Sequence, residues 1–447
     1  MSLWFYGYFN LRYLAIIIVS ILVNYMMHMI LIRVNGKLRS FVLAVAIVFN
    51  LGLLFYFKYA NFFIENLNLL FKTDFVFEKI LLPLGISFFT FQQISFIIDT
   101  YKGEVKRYNF IKYSLFVTFF PQLIAGPIVT HDELVPQFED EMKRKINWDN
   151  FGKGILIFVI GMSKKVLIAD IFGNAVNWGY SNIGELDSIS AFIIMISYTF
   201  QIYFDFSGYC DMAIGIGNMM NISLPINFNS PYKALTISEF WKRWHITLTR
   251  FFTKYVYIPL GGNRHGKIRE YINTMIVFLL SGLWHGANWT FILWGAFHGA
   301  FLVINKMFKN RFEKLHPALN WWITFSFVNL TWVLFRADSI KDGLRIIYRL
   351  FKLEFTGIHK EIKKCFSFDS IDFLLKSCHL DISRYYNNFY LVGFFLLTFF
   401  ILLGCNNFTK DLDTIYLSKK KGITIVLLFV LCVISFSGIS TFLYFNF

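Results

Sequence analysis

Tyr271-Ile-Asn-Thr-Met-Ile-Val-Phe-Leu-Leu-Ser-Gly-Leu-Trp-His285-Gly-Ala-Asn288 is the stretch on which the reading turns. From Tyr271 to Leu283 it is mostly apolar, and it arrives at Trp284-His285-Gly286. An ionisable side chain at membrane depth is costly and by default marks a functional site. Gly282 and Gly286 flank His285 and let a substrate or a second helix come close. A histidine, with an unperturbed pKa of about 6.5, can take a proton from a hydroxyl near neutral pH. The same pattern also fits a core histidine hydrogen-bonded between helices, and spacing alone does not separate the two.

The surroundings of this stretch set the class. Hydrophobic residues make up 56% of the chain and charged residues 16%, so the chain is poorer in charge than a water-facing globular domain. Its 56 phenylalanines fit lipid as solvent. Backbone in lipid must be helical or a closed barrel, and the apolar runs lack the alternation of barrel strands. The expected fold is therefore all-α: a polytopic bundle around a central cavity, with re-entrant and interfacial helices. Runs start near Leu11, Phe41, Ile80, Phe110, Phe151, Ile189, Tyr271, Trp289, Trp321, Tyr390 and Ile423. That predicts roughly ten or eleven membrane segments. Breaks at Pro83-Leu84-Gly85 and between Pro121 and Pro127 point to re-entrant elements, because freed backbone needs cover from protein or a water-filled cavity. The first run is followed by Arg33, Lys37 and Arg39, which puts its end in the cytoplasm and argues against a cleaved signal peptide. The net charge of +15 sits in short loops, where anionic lipid accounts for it without nucleic acid. The five cysteines show neither disulfide nor zinc spacing, and no metal is expected.

The chain reads as one integral membrane domain over 1–447, without repeats. Its polar stretches fall at 131–150, 221–270 and 337–388, the last with amphipathic pieces such as Gly343 to Phe351 that suit a membrane surface. Within 221–270, Thr236 and Glu239 have capping-box spacing. A helix from there to about Phe252 would put Trp241, Trp244 and His245 on one face, with Glu239 and Arg243 paired four residues apart.

Other polar residues carry two readings each. His245 is a site residue or an interfacial neighbour of tryptophans. His298 is functional or a helix-contact residue beside Gly299. Asp205 and Asp211 relay protons, orient a histidine, or cap a helix start. Asp99 sits at the interface. Lys164-Lys165 neutralises a donor's phosphates or snorkels.

Taken together, several segments resemble the membrane-bound O-acyltransferase family, in particular its bacterial alginate and peptidoglycan O-acetyltransferase branch. They are Phe57-Lys-Tyr-Ala-Asn61, Leu82-Pro-Leu-Gly-Ile-Ser87, Phe120-Pro-Gln-Leu-Ile-Ala-Gly-Pro127 and Gln201-Ile-Tyr-Phe-Asp-Phe-Ser-Gly-Tyr209. They continue with Glu239-Phe-Trp-Lys-Arg-Trp-His245, Leu260-Gly-Gly-Asn-Arg264, Gly282-Leu-Trp-His-Gly-Ala-Asn288, Trp294-Gly-Ala-Phe-His298 and Phe335-Arg336-Ala337-Asp338. The resemblance spans roughly 50–340 and leaves 389–447 as C-terminal membrane helices with an aromatic tail. It implies His285 as the catalytic histidine and His245 as the second functional one. It implies a bacterial cytoplasmic (inner) membrane protein that takes an acyl group from a cytoplasmic thioester, here acetyl-CoA, with no bound cofactor. The acetyl group would pass to an extracytoplasmic partner protein of esterase fold or to a cell-surface polysaccharide. Trp241, Trp244, Arg243, Asn288 and Asp205 are expected along the substrate path, with Asn288 or charged His245 as oxyanion donor. Members usually carry one more helix before Leu11, so a topology counted from the N-terminus is open.

The ending Thr441-Phe-Leu-Tyr444-Phe-Asn-Phe447 is similar to the aromatic tails of partner proteins in D-alanine transfer and of some acetylating relatives. There the tyrosine is proposed to accept the acyl group, which assigns that role to Tyr444. Lys419-Lys-Lys421 should be cytoplasmic, and one crossing from about Ile423 would bring Tyr444 out at the outer face. The alternative for Tyr444 is an interfacial aromatic anchor. Two alternatives stand for the whole chain: D-alanyl transfer from an acyl-carrier protein, and a non-catalytic transporter or flippase.

Overall fold

The computed structural model describes residues 2–76, 82–105, 107–124, 126–366, 387–407, 409, 418–436 and 442–443. Among the described residues every regular element is a helix. In chain order, those that position the site are α1 (Leu11–Leu31), α2 (Gly36–Leu54), α3 (Ile86–Lys102), α4 (Trp148–Ser163), α5 (Asp170–Ser181), α6 (Ser188–Met219), α7 (Ile237–Arg243), α8 (Ile246–Phe252), α9 (Gly266–His285), α10 (Trp289–Met307), α11 (Pro317–Arg336) and α12 (Ile340–Phe351). The protein is a polytopic membrane protein of all-α class.

Five helical segments among the described residues are long and apolar enough to cross a bilayer: α1, α2 with its continuation to Phe71, α6, α10 and α11. The other expected segments are shorter or more polar. The run from Phe110 stops at Thr118, just before the Pro121 break. After the Pro83-Leu84-Gly85 break the helix starts at Ile86, with Gly85 in a left-handed turn at φ +68°. A Cβ there would also lie 2.6 Å from the Leu123 carbonyl oxygen, so the two proline breaks pack backbone to backbone. Before Leu11 the chain forms one short helix, Ser2–Phe9.

α6 is the mast of the bundle. Its 32 residues run about 48 Å, longer than the roughly 30 Å hydrocarbon core. It lies antiparallel to α4, and two glycine pairs set the approach. A Cβ on Gly154 would meet Gly215 O at 2.6 Å, and one on Gly161 would meet Gly208 O at 2.5 Å. The glycines are seven residues apart on both helices, so one face of each is left bare and backbones touch. Just past Gly161 the chain makes a π-helical turn, Lys164–Ala169. Its two lysines reach buried carboxylates on α6: Lys164 Nζ to Asp211 Oδ2 at 2.5 Å, and Lys165 Nζ to Asp205 Oδ1 at 2.6 Å. Lys165 is shared with Asp170 at 2.7 Å.

This corrects two expectations. Asp205 and Asp211 lie inside α6 and cap no helix start, and Lys164-Lys165 pairs inward instead of snorkelling. A buried carboxylate deprived of its partner is strongly destabilising, which is why the charges come in matched sets. Asp99 is likewise buried, bonded to Tyr255 Oη at 2.7 Å and Lys254 Nζ at 3.1 Å.

At the start of α6, Asp187 caps Ser190 N–H at 2.8 Å with one oxygen and accepts Thr356 N–H and Gly357 N–H with the other. Burial alone would raise its pKa, but these hydrogen bonds outweigh it and hold the carboxyl below its usual value. α12, whose exposed Leu344, Tyr348 and Phe351 alternate with cations, packs across this end against α11 and α6. This is the amphipathic helix that the pattern from Gly343 to Phe351 predicts.

Two outcomes follow for detergent-solubilised protein in a thermal melt. Gly161→Ala forces backbone apart and should cost about 1–3 kcal/mol. Asp187→Ala should cost about 1–2 kcal/mol at pH 7. Because the folded pKa is depressed, that difference is fully present above the unfolded value of about 4 and should shrink as pH falls below it.

Candidate functional site

The site begins where a helix ends. The last carbonyls of α9 have no helical partners, and lipid supplies none. Three of them are met by one short segment. Tyr59 Oη donates to Leu283 O at 2.8 Å, and Lys58 Nζ donates to Trp284 O at 2.6 Å and His285 O at 3.1 Å. Lys58 also bonds Ser87 Oγ at 3.3 Å, and its positive charge complements the helix C-terminus. A π-helical turn, Phe55–Tyr59, puts both side chains there. His285 is thus the last residue of α9, buried and fixed through its own carbonyl.

α9 and α10 form a tight hairpin joined by Gly286-Ala-Asn288. A Cβ on Gly282 would lie 2.3 Å from Phe291 O, and one on Gly295 would lie 2.3 Å from Phe278 O. Aromatic rings then wall in His285: Trp284, Trp294 and Phe335, with centroids 5.0, 5.2 and 5.1 Å away. The ring of His245 is 6.4 Å away.

His245 arrives there by a break that differs from the expected continuous helix to Phe252. α7 stops at Arg243, Trp244 is extended, and His245 takes left-handed backbone at φ +45° before α8. The departure is held by pairing with the preceding strand-like segment. Asn229 N–H bonds Arg243 O at 2.9 Å, and Ile246 N–H bonds Asn227 O at 3.0 Å. A non-glycine residue in this region is strained by roughly 1–2 kcal/mol and persists where its surroundings over-determine it. The strain re-aims the imidazole from the helix face toward His285.

The hydrogen bonds fix the His245 tautomer. Thr247 N–H, which can only donate, meets Asn227 Oδ1 at 3.2 Å, and Thr247 Oγ1 donates to the same oxygen at 2.8 Å. His245 Nδ1, 3.3 Å from that oxygen, therefore carries a proton, and in the neutral ring the lone pair is on Nε2. Thr247 Oγ1 in turn accepts Ile128 N–H at 2.9 Å, which ties the Pro121–Pro127 break to the histidine. His298 is held as a neutral bridge. Trp241 Nε1 donates to its Nδ1 at 3.2 Å, so its Nε2–H faces Thr331 Oγ1 at 2.9 Å.

The remaining expected residues divide. Trp241 stacks edge-on to Trp294, and Trp244 is fully buried against Phe240, Phe228 and Trp332; both build the wall behind the histidines. Arg243 faces away, paired with Glu239 at 2.6 Å; Glu239 accepts Leu235 N–H, while Thr236 caps Glu239 N–H. Asn288 is a linchpin of the loop. Its Oδ1 caps Thr290 N–H at 3.0 Å and its Nδ2 donates to Asp338 O at 2.9 Å. Tyr444 lies outside the described residues. Leu443, before it, is buried, and its main-chain N–H lies 3.0 Å from Asp205 Oδ2.

Lys58 was missed by sequence reasoning. It stands within Phe57-Lys-Tyr-Ala-Asn61, and a lone lysine within an apolar run carries the same signal as His285. It lines two cavities. One of about 40 Å³ touches Ser87, Trp284 and His285. The other is a cleft of about 640 Å³ with Asn61, Asn288, Arg336, Asp338 and Leu443 on its walls. A buried histidine pair beside a polar cleft can serve proton transfer to or from a hydroxyl. Among the described residues no cluster of side chains could hold a metal ion.

The sequence profile of the membrane-bound O-acyltransferase family matches residues 5–341. The chain belongs to that family. It is 44% identical over 376 residues to the peptidoglycan O-acetyltransferase of Helicobacter pylori, covering 77% of this chain and 71% of that protein. It is 42% identical over 326 residues to a probable alginate O-acetylase of Pseudomonas aeruginosa, covering 72% of this chain and 62% of that protein. A teichoic acid D-alanyltransferase of Streptococcus thermophilus is 27% identical over 290 residues, covering 58% of this chain and 69% of that protein. The chain is thus an acyltransferase, and the transporter alternative falls.

Lys58→Met removes the partner of two buried carbonyls and lets the end of α9 shift. Acyl transfer should fall about 10²-fold, as for an ångström-scale displacement of a catalytic group. Rates per membrane-inserted molecule, compared with Lys58→Arg, measure this, and the arginine variant should retain more.

Proposed function

We infer that the protein moves an acetyl group from a cytoplasmic thioester, acetyl-CoA, to the outer face, for O-acetylation of a cell-surface polysaccharide. The observation that carries this reading is the buried pair His285 and His245, 6.4 Å apart beside the polar cleft. The acetyl group is favoured because the peptidoglycan and alginate relatives exceed the D-alanyl relative in identity and in coverage of this chain.

In the proposed step His285 accepts the proton of an attacking hydroxyl, and the hydroxyl oxygen bonds to the thioester carbonyl. The C–S bond then breaks and the departing thiolate takes the proton back from His285. General-base help of this kind contributes about 10²- to 10⁴-fold. His245, oriented through Asn227, is the second histidine beside the reacting carbonyl. Tyr444 is the proposed first acceptor, because the residue before it lines the cleft and an acyl-phenol passes its acyl group on more readily than an alkyl ester. The next acceptor is a hydroxyl of an extracytoplasmic partner protein or of the polymer.

Sidedness follows the cations. The ends of α3, α6 and α10 and the start of α9 gather Lys102, Lys143, Lys145, Lys254, Arg269 and Lys306, and this face is assigned to the cytoplasm of the bacterial inner membrane. The cleft, with Asn288, Arg336 and Asp338, lies at the opposite end of α9 and α11.

Base-released acetate from purified peptidoglycan and from exopolysaccharide tests the reading. It would be compared at matched membrane levels for the native chain, a deletion, His285→Ala and Tyr444→Phe. Loss from one polymer in the deletion and both variants is expected and names the substrate. Full acetylation by His285→Ala would remove the catalytic assignment. Full acetylation by Tyr444→Phe alone leaves His285 in place and makes the tail an anchor.

A further inference from the structure

We propose that Asp205 is a positioning residue: its carboxylate docks the C-terminal segment into the cleft by accepting the main-chain N–H of Leu443. Asp205 Oδ2 and that amide are 3.0 Å apart, both residues are buried, and 238 positions separate them in sequence. The other carboxylate oxygen is held by Lys165 at 2.6 Å, and Lys165 is itself shared with Asp170 at 2.7 Å. Lys165 holds one oxygen of Asp205, and the tail amide donates a charge-assisted hydrogen bond to the other.

The next contact sets the register. Asp205 and Tyr209 are one turn apart on α6 and face the same way. Leu443 sits at Asp205, and the Phe442 ring packs against Tyr209 at 4.8 Å and Phe206 at 6.1 Å. Successive tail residues are read by successive turns of one helix. Phe206 also packs edge-on to His245 at 4.8 Å, so the docking ledge and the site share a wall. Leu443 lines the same cleft as Lys58. Recognition through an amide accepts any side chain at 443 except proline, which has no N–H.

The docking stands by itself; only its use in presenting Tyr444 rests on the acyl-transfer reading. Two measurements on the full chain separate them. In the first, the five native cysteines are replaced by alanine and Leu443→Cys serves as reporter in detergent-solubilised protein. Maleimide labelling should be slow with Asp205 present, at least tenfold faster in Asp205→Leu, and in between for Asp205→Asn, which keeps an acceptor oxygen. Labelling of Asp205→Leu no faster than the parent overturns the proposal. In the second, which leaves the bundle untouched, Leu443→Pro and Leu443→Ala are compared for polymer-bound acetate at matched membrane levels and for protection of the tail from carboxypeptidase. The proline variant should be trimmed at least tenfold faster than the alanine variant and transfer at least tenfold less acetate. Equal trimming overturns the docking. Faster trimming of the proline variant with equal acetate supports the docking and removes the tail from the transfer route.

Discussion

The end of α9 is the point on which the site depends. A helix that stops within a membrane leaves carbonyls that neither lipid nor the helix can satisfy. Lys58 and Tyr59 meet three of them from a π-helical turn in a different segment. The stop is therefore as firm as a continuing helix, and the residue at the stop is His285. The glycines at 282 and 295 then let α10 return against α9 at backbone contact, which closes the aromatic wall around the imidazole.

Close backbone approach also explains the other half of the bundle. Gly154, Gly161, Gly208 and Gly215 bring α4 and α6 together, and only at that separation do Lys164 and Lys165 reach Asp211 and Asp205. The ion pairs are a consequence of the contact more than its cause, since desolvating such charges offsets most of their attraction. Their effect is to leave a charged, oriented carboxylate on α6 beside the site.

Much of this was legible in the residues. Composition, run length and the absence of alternation gave the class; His285 stands out as a costly group at membrane depth, whereas His245 is singled out through the family resemblance. The continuous helix through His245 was misjudged because helical spacing of Trp241, Trp244 and His245 mimics a shared face. The structure puts them together by a break, held by Asn227 and Asn229 from a loop that local pattern does not connect to them. The pairing of Arg243 with Glu239, four residues apart, was legible in the spacing and is present in the structure.

The sequence by itself determined that this chain lives in lipid as helices, and it singled out His285 as the ionisable group to explain. These follow from side-chain composition and from what a bilayer will solvate, both local properties. Only the tertiary structure decided that Lys58 caps α9, that Leu443 meets Asp205, and that the two histidine rings lie 6.4 Å apart. Each of these joins segments distant in sequence, and the partner of a buried polar group is chosen by packing, which no local pattern encodes.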